Sequence, residues 1–250
     1  MLNNIPQVTK NIIIINVLLF LATMMFQNKI DLISVLGAYP FNSPKFESYQ
    51  IVTHFFMHAG FMHIAFNMFG VYIFGSHLER IWGPKRFFFF YILSALGAYL
   101  LYAGIDTYQT FQLKNEIVRL YGNESYANIH LIVNDFVTSG QSNIAGTPIE
   151  YNYANKLAAD FLTPMVGASG ALFGVLAAFA MLFPNTELYL MFIPFPVKAK
   201  YLIGGYFILE VFLGFGKFQG DSVAHFAHVG GAIVGFILVK IWQRNKTTFY

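Results

Sequence analysis

Long apolar runs alternate with short polar breaks along the whole chain. Six runs approach the roughly 17–25 residues that an α-helix needs to cross hydrocarbon: 11–27, 61–79, 87–105, 167–184, 199–215 and 224–242. The breaks are well marked. "ERIWGPKR" closes the second run and opens the third, "FPNTELYLMFIPFPVKAK" parts the fourth from the fifth, and "GFGKFQGDS" parts the fifth from the sixth. Such short gaps predict antiparallel neighbours. Two connections are longer. Residues 28–60 include "YPFNSPKFESYQ", whose mixed polar and aromatic character predicts a segment half-embedded at the membrane interface. Residues 106–162 form a polar, tyrosine-rich insertion with no span of its own. Within it "TFQLKNEIVRLYG" sets Phe111, Ile117, Leu120 and Tyr121 at amphipathic spacing, which predicts a surface helix. The expected fold is all-α: one polytopic membrane domain over residues 1–250, a bundle of six transmembrane helices with its insertion between the third and fourth.

Composition supports this class. Of 250 residues 56% are hydrophobic and 11% charged, against about 25% charged in soluble domains. With no cysteine, disulfides, thiolate catalysis and cysteine-ligated zinc are excluded. The net charge of +3 is no sign of a nucleic-acid partner, because in a membrane chain the placement of cations is what matters. Lys10 precedes the first run, which lacks a small-residue cleavage site, so a retained span is expected rather than a cleaved signal peptide. With the N-terminus in the cytoplasm, Lys10, Arg80, Lys85, Arg86, Lys198, Lys200, Lys240, Arg244 and Lys246 all lie inside. These nine of the 15 cations face only Glu79 and Glu187 among the acids; the other side holds six cations and nine acids, Asp106, Glu116, Asp135 and Asp221 among them. The positive-inside rule then puts both termini in the cytoplasm and the insertion outside it, in a multi-pass protein of the cell's inner or plasma membrane.

Parity brings polar residues together. Spans two, four and six all begin on the outer side. Span two opens "FMHIAFNM" with His63 and Asn67, span four "VGASGALFG" with Ser169, and span six "VAHFAHVGGAIVG" with His225 and His228. Polar side chains inside a membrane are costly and are functional candidates by default; here those of three helices fall at one depth. His63 and Asn67, four apart, share a helix face. His228 shares its face with Gly231 and Gly235, while Gly170 and Gly174 follow Ser169. Small residues at this spacing let helix backbones approach closely, which would bring span four against span six and a hydroxyl to an imidazole. A serine beside a histidine is a nucleophile beside a general base. Amides at a helix start lack intrahelical acceptors, so the N–H groups of 167–169 are candidate oxyanion donors, joined by Asn67 and His63.

Plainer readings attach to the same residues. Small-xxx-small patterns serve packing, and a lone intramembrane histidine or asparagine serves an interhelical hydrogen bond. His54, His58 and His63, or His225 and His228, stand at spacings that suit a metal, but with no acidic co-ligand beside them no metal or cofactor is expected. Glu210, deep in span five, reads as a structural hydrogen-bonding group. With no carboxylate near the histidines, a Ser–His dyad is expected rather than a triad. Spacing alone does not choose between His225 and His228; the latter lies deeper, in line with the glycines. In "GFGKFQGDS" the glycines Gly214, Gly216 and Gly220, with Phe215 and Phe218, predict a mobile lid. "NES" at Asn123 matches the short glycosylation pattern.

Taken together these motifs resemble the rhomboid family of intramembrane serine proteases. "GASGALFG" is similar to the family's GxSGxxxG, which implies Ser169 as nucleophile; "AHVGGAIVG" is similar to AHxxGxxxG and implies His228 as base. "HAGFMHIAFNM" is similar to the second-helix HxxxN signature, which carries oxyanion roles onto His63 and Asn67. Phe173 fits the aromatic that packs on the base. Two features depart from the pattern: Tyr49-Gln50 replaces the Trp-Arg pair of the first loop, and the connection at 106–162 is far longer. The resemblance implies an endopeptidase that cuts single-span membrane proteins within the lipid bilayer, near their outer-face boundary, at a small residue followed by helix-weakening ones. A catalytically inactive rhomboid-like protein that binds membrane clients is the alternative. A transporter would place its polar groups nearer the bilayer midplane.

Overall fold

Helices that carry apolar side chains outward as well as inward belong in lipid rather than in water. Leu18, Phe66, Leu100 and Ile208 are 59%, 58%, 59% and 69% exposed. The computed structural model describes residues 4–189, 195–216 and 224–244. In chain order the helices are α1 (Gln7–Phe26), α2 (Leu32–Leu36), α3 (Gln50–Thr53) and α4 (Phe61–Gly70). They continue with α5 (Ser76–Trp82), α6 (Pro84–Ser139), α7 (Pro148–Leu162), α8 (Ser169–Leu182), α9 (Ala199–Gly216) and α10 (His225–Arg244). A 3-10 turn, His54–Phe56, follows α3, and a wider π turn, Val71–Gly75, joins α4 to α5. The two-residue strands β1 (Glu187–Leu188) and β2 (Val197–Lys198) pair antiparallel.

Among the described residues α1, α6, α9 and α10 are each long and apolar enough to cross a membrane; Gln50–Phe56 and Phe61–Trp82, meeting at 92°, pass the same test together, and Ser169–Leu182 is a shorter apolar helix. The third predicted run does not stop near residue 105. Its helix continues to Ser139 and breaks only at Gly122, where φ is +85°. The buried stripe in this stretch also differs from the predicted one. Ile117 is buried as predicted, but its buried companion is Leu113, whereas Phe111, Leu120 and Tyr121 are exposed. The reason is the partner helix: α7 folds back so that Leu157 and Phe161 meet Leu113, Ile117, Ile129 and Val133 in a separate small core. A capping box between Thr147 and Glu150 starts α7. The Thr147 backbone N–H, with side-chain donors, holds the Glu150 carboxyl below the usual carboxylate range. That cap is therefore at full strength above the usual range and weakens as pH falls through the lowered value.

One end of the bundle gathers helix termini. Glu79, buried in the middle of α5, accepts hydrogen bonds from Val8 N (2.9 Å), Thr9 N (2.7 Å) and Thr9 Oγ1 (2.7 Å), satisfying first-turn donors of α1. Trp242 of α10 lies edge-on to Trp82 at 5.3 Å, and Arg86 sits 4.6 Å above the Trp242 ring. His77 meets Phe183 at 4.7 Å. The starts of α1 and α6 and the ends of α5, α8 and α10 thus share one end, with Lys10, Arg80, Arg86 and Arg244.

Between α8 and α10 the backbones touch. A Cβ built on Gly231 would overlap the Gly170 carbonyl, and one on Gly235 would lie 2.6 Å from Gly174 O. From α6, Ala98 faces Gly170, Ser94 faces Gly174 and the Gly97 carbonyl faces Gly230. The glycine grooves expected from sequence are present, and α6 supplies a third wall. In contrast, a Cβ on Gly205 of α9 would meet nothing within 4 Å. Gly231→Ala should therefore lower stability by the 1–3 kcal/mol typical of overpacking, or more, and Gly205→Ala should leave it level or raise it by about 0.5–1 kcal/mol. Thermal melting of the detergent-solubilised variants reads this directly, and equal losses in both would contradict the packing described.

Candidate active site

Ser169 is the first residue of α8, and what precedes it is tied down. Met165 pairs with Ala38 through two backbone hydrogen bonds, 2.7 and 2.9 Å, and Gly167 N–H donates to His54 O at 3.0 Å. Gly167 has φ +124°, a conformation that only glycine holds without strain. The segment it meets is braced in turn. Tyr99 donates to Tyr39 O at 3.0 Å. Gln50, which stands where the Trp-Arg pair was expected, is buried and ties its loop together: its Nε2 donates to Val35 O and Lys45 O, and its Oε1 accepts from Glu47 N. One expectation is corrected here. The Gly167 amide is engaged by His54, so the candidate oxyanion donors on the backbone shift to the first turn of α8 itself, where the ladder opens with Leu172 N–H to Ala168 O at 3.0 Å.

His228, one turn into α10, places Nε2 2.8 Å from Ser169 Oγ. The Phe173 ring stacks on the imidazole at 4.3 Å and 7°, as the family resemblance implies, and Tyr206 of α9 packs on Phe173 at 4.9 Å. The two-residue arrangement expected from sequence is corrected by Glu210. This buried carboxylate of α9 sits with Oε2 2.8 Å from His228 Nδ1 and 2.7 Å from His225 Nδ1. An ionised carboxylate only accepts, so each ring donates Nδ1–H to it. That tautomer leaves His228 Nε2 with the lone pair that takes the Ser169 hydroxyl. His225 and His228 therefore differ in contact: His228 reaches the serine, and His225 shares the carboxylate.

The four residues singled out from sequence are not equally gathered. A Cβ on Gly167 would lie 2.7 Å from His63 Nε2 and 3.5 Å from Ser169 Oγ. Imidazole and hydroxyl thus border one gap, which the missing side chain keeps open. Asn67, also buried, donates Nδ2 to His63 O in its own helix at 2.9 Å. His58 lies edge-on to His63 at 4.9 Å, and His54 Nδ1 is bonded to Gln50 O at 2.8 Å. The premise that no acid accompanies the histidines does not hold. Glu210, His225 and His228 bring one ligand atom each within 4.8 Å of one another, a set able to hold a divalent ion. Of the predicted lid, residues 217–222 lie outside the described residues; Phe215 packs edge-on against Phe226 at 5.3 Å.

Comparison with known proteins bears on this geometry. The rhomboid domain family matches residues 45–245, a stretch that contains His63, Asn67, Ser169, Glu210 and His228. The chain belongs to the rhomboid family. It is 28% identical over 201 residues to RHOMBOID-like protein 12, mitochondrial, of Arabidopsis thaliana, covering 79% of this chain and 46% of that protein. It is 25% identical to Rhomboid protein 1, mitochondrial, of Saccharomyces cerevisiae, over 75% of this chain and 40% of the relative. Against the human Presenilin-associated rhomboid-like protein, mitochondrial, identity is 26% over 59% of this chain and 40% of the relative. This rhomboid chain thus spans less than half the length of these relatives. Their names give the expected inner or plasma membrane no support; that the chain is a membrane protein rests on its apolar helices.

Three residues named from sequence have partners at this rhomboid site that the sequence reading did not foresee: Glu210, Gln50 and His54. Each acts through a partner distant in sequence, and the pattern along the chain does not mark such pairings. Gly167→Ala tests the gap beside the serine. The substitution demands a φ that an alanine resists and aims a methyl at His63, so it should slow serine-directed labelling by a fluorophosphonate by up to about 10²–10³-fold, the range for the loss of one oxyanion contact. Labelling at the original rate in the folded variant would show that the gap is not used.

Proposed function

We propose that this rhomboid is an intramembrane serine endopeptidase that cuts single-span membrane proteins near the outer face of the bilayer, with Ser169 as nucleophile and His228 as general base. The observation that carries the reading is the 2.8 Å contact between Ser169 Oγ and His228 Nε2, on motifs that the family shares. His228 takes the hydroxyl proton as Oγ attacks the substrate carbonyl carbon. The resulting oxyanion accepts hydrogen bonds from the Ser169 backbone amide and from His63, with Asn67 holding the turn of α4 that presents His63 or turning its amide to the same charge. Loss of one such donor costs about 10²–10³ in rate in related chemistry. The C–N bond then breaks, His228 returns the proton to the leaving amine, and an ester to Ser169 remains. A water molecule, deprotonated by His228, hydrolyses that ester and restores the serine.

Six spans fit this chemistry: α1, the α4–α5 unit, the first half of α6, α8, α9 and α10. With 14 residues, α8 is about 21 Å long at 1.5 Å per residue, shorter than the roughly 30 Å hydrocarbon core. Ser169 at its outer end is then recessed within the membrane thickness. The irregular backbone of residues 163–168 above it is tolerated at that depth only if buried in protein or lining water, and water is what hydrolysis requires. Residues 106–162 lie outside the cytoplasm in this arrangement, and the cation-rich end with both termini lies inside it.

Cleavage of a fluorescent single-span reporter in proteoliposomes should vanish in Ser169→Ala and fall by about 10³-fold or more in His228→Ala, with a much smaller loss in His225→Ala. Near-normal cleavage by folded His228→Ala, beside an inert His225→Ala, would reverse the assignment of the base. Full cleavage by Ser169→Ala would end the peptidase reading in favour of an inactive client-binding relative. A cysteine at exposed Ser139, placed in this cysteine-free chain, should react with an impermeant maleimide from the outer side only. Reaction from the cytoplasmic side alone would invert the topology.

A further inference from the structure

We propose that Glu210 is a positioning residue for His228, so that the site works as a serine–histidine–carboxylate triad; this rests on the peptidase reading above. Three contacts fix the imidazole. Phe173 sets the plane of the ring, Ser169 meets Nε2, and Glu210 Oε2 meets Nδ1. The last decides the tautomer, because a proton held on Nδ1 by a carboxylate cannot also sit on Nε2. Without that acceptor the ring can carry its proton on Nε2, where it would donate to the serine oxygen instead of accepting its hydrogen.

The electrostatics point the same way. When His228 takes the Ser169 proton it becomes an imidazolium in a buried site. Glu210 stays ionised, accepts Nδ1–H throughout and faces the new charge at 2.8 Å; no proton moves to it. The polar groups round His228 come from several helices: Ser169 on α8, Glu210 on α9, His225 on α10 and His63 of α4, which borders the same serine. From α6 the face toward α10 is neutral, Gly97 and Ala98. Among the described residues Glu210 is the anion of this set. A buried carboxylate inside a membrane is costly and is kept only where it is paired. His225 supplies a second donor to the same oxygen, which holds the carboxylate in place for His228.

A structural brace between α9 and α10 would use the same hydrogen bonds, so the test must read the base. Fluorophosphonate labelling of the full detergent-solubilised chain gives a maximal rate and an apparent affinity for each variant. Glu210→Gln should lower the maximal rate by about 10²–10⁴-fold, the range for a misplaced orienting group, with affinity for the probe unchanged and melting close to the unaltered chain. Glu210→Asp should recover at least about tenfold of that loss, since it keeps the charge. In a His228→Ala background Glu210→Gln should change nothing further, because a residue acting through the base has no effect once the base is gone. The proposal is overturned if folded Glu210→Gln labels within about threefold of the unaltered chain, or if it slows the His228→Ala variant as much as it slows the unaltered chain. It is overturned too if neither Gln nor Asp variant melts cooperatively, which would assign Glu210 to holding helices together. If the unaltered chain shows no labelling that depends on Ser169, the peptidase reading itself falls and takes this role with it; the other failures leave that labelling intact.

Discussion

Backbone contact between α8 and α10 is the constraint from which the rest of the site follows. Ser169 stands one residue before Gly170, and His228 one turn before Gly231, the two residues whose backbones meet. Any side chain at Gly231 would push the helices apart and separate hydroxyl from imidazole by a similar amount. In hydrocarbon, helices gain nothing from expelling water between them, so association rests on close van der Waals contact and interhelical hydrogen bonds. Glycine supplies the first, and the Ser169–His228 contact is one of the second. Packing and chemistry are therefore the same contact viewed at two depths.

Around this rigid pair the other elements are attached with different firmness. α6 closes one side with Ser94, Gly97 and Ala98 set against both glycine rows. The segment before Ser169 is held by Ala38 and His54, which fixes the entry into α8. α9 is looser. Below Phe173 an apolar cavity of about 360 Å³ opens between α8, α9 and α10, lined by Ala177, Ile203, Gly204, Phe207 and Ile233. α9 also carries Glu210, whose carboxylate is shared by His225 and His228 across the gap to α10.

How much of this was legible in the sequence depends on the range of the signal. The apolar runs, the glycine rows and the approach of Ser169 to the histidines of α10 follow from local spacing and from the parity of alternate spans, whereas His228 as the partner and Phe173 stacked on it came with the family resemblance. Glu210 was misjudged as remote. It lies six residues before the end of α9, and His228 three residues after the start of α10. At 1.5 Å per residue they stand about 9 and 4.5 Å below the same connection, a difference of one turn that depth alone did not reveal. The course of residues 106–139 was missed for another reason. A polar composition says nothing against a continuous helix, and which stripe it buries is set by α7, so Ile117 went inward as expected but with Leu113 beside it rather than Phe111 and Leu120. The bond from Gly167 to His54 joins residues whose pairing no periodicity encodes.

The central claim is that close approach of α8 and α10 activates one serine. Mass-spectrometric mapping of the residue that carries a fluorophosphonate adduct tests it most directly, in the unaltered chain and in Gly231→Leu. The account requires the adduct on Ser169 in the unaltered chain and its loss in Gly231→Leu. An adduct on any other residue, or undiminished modification of Ser169 once the helices have been forced apart, would contradict it.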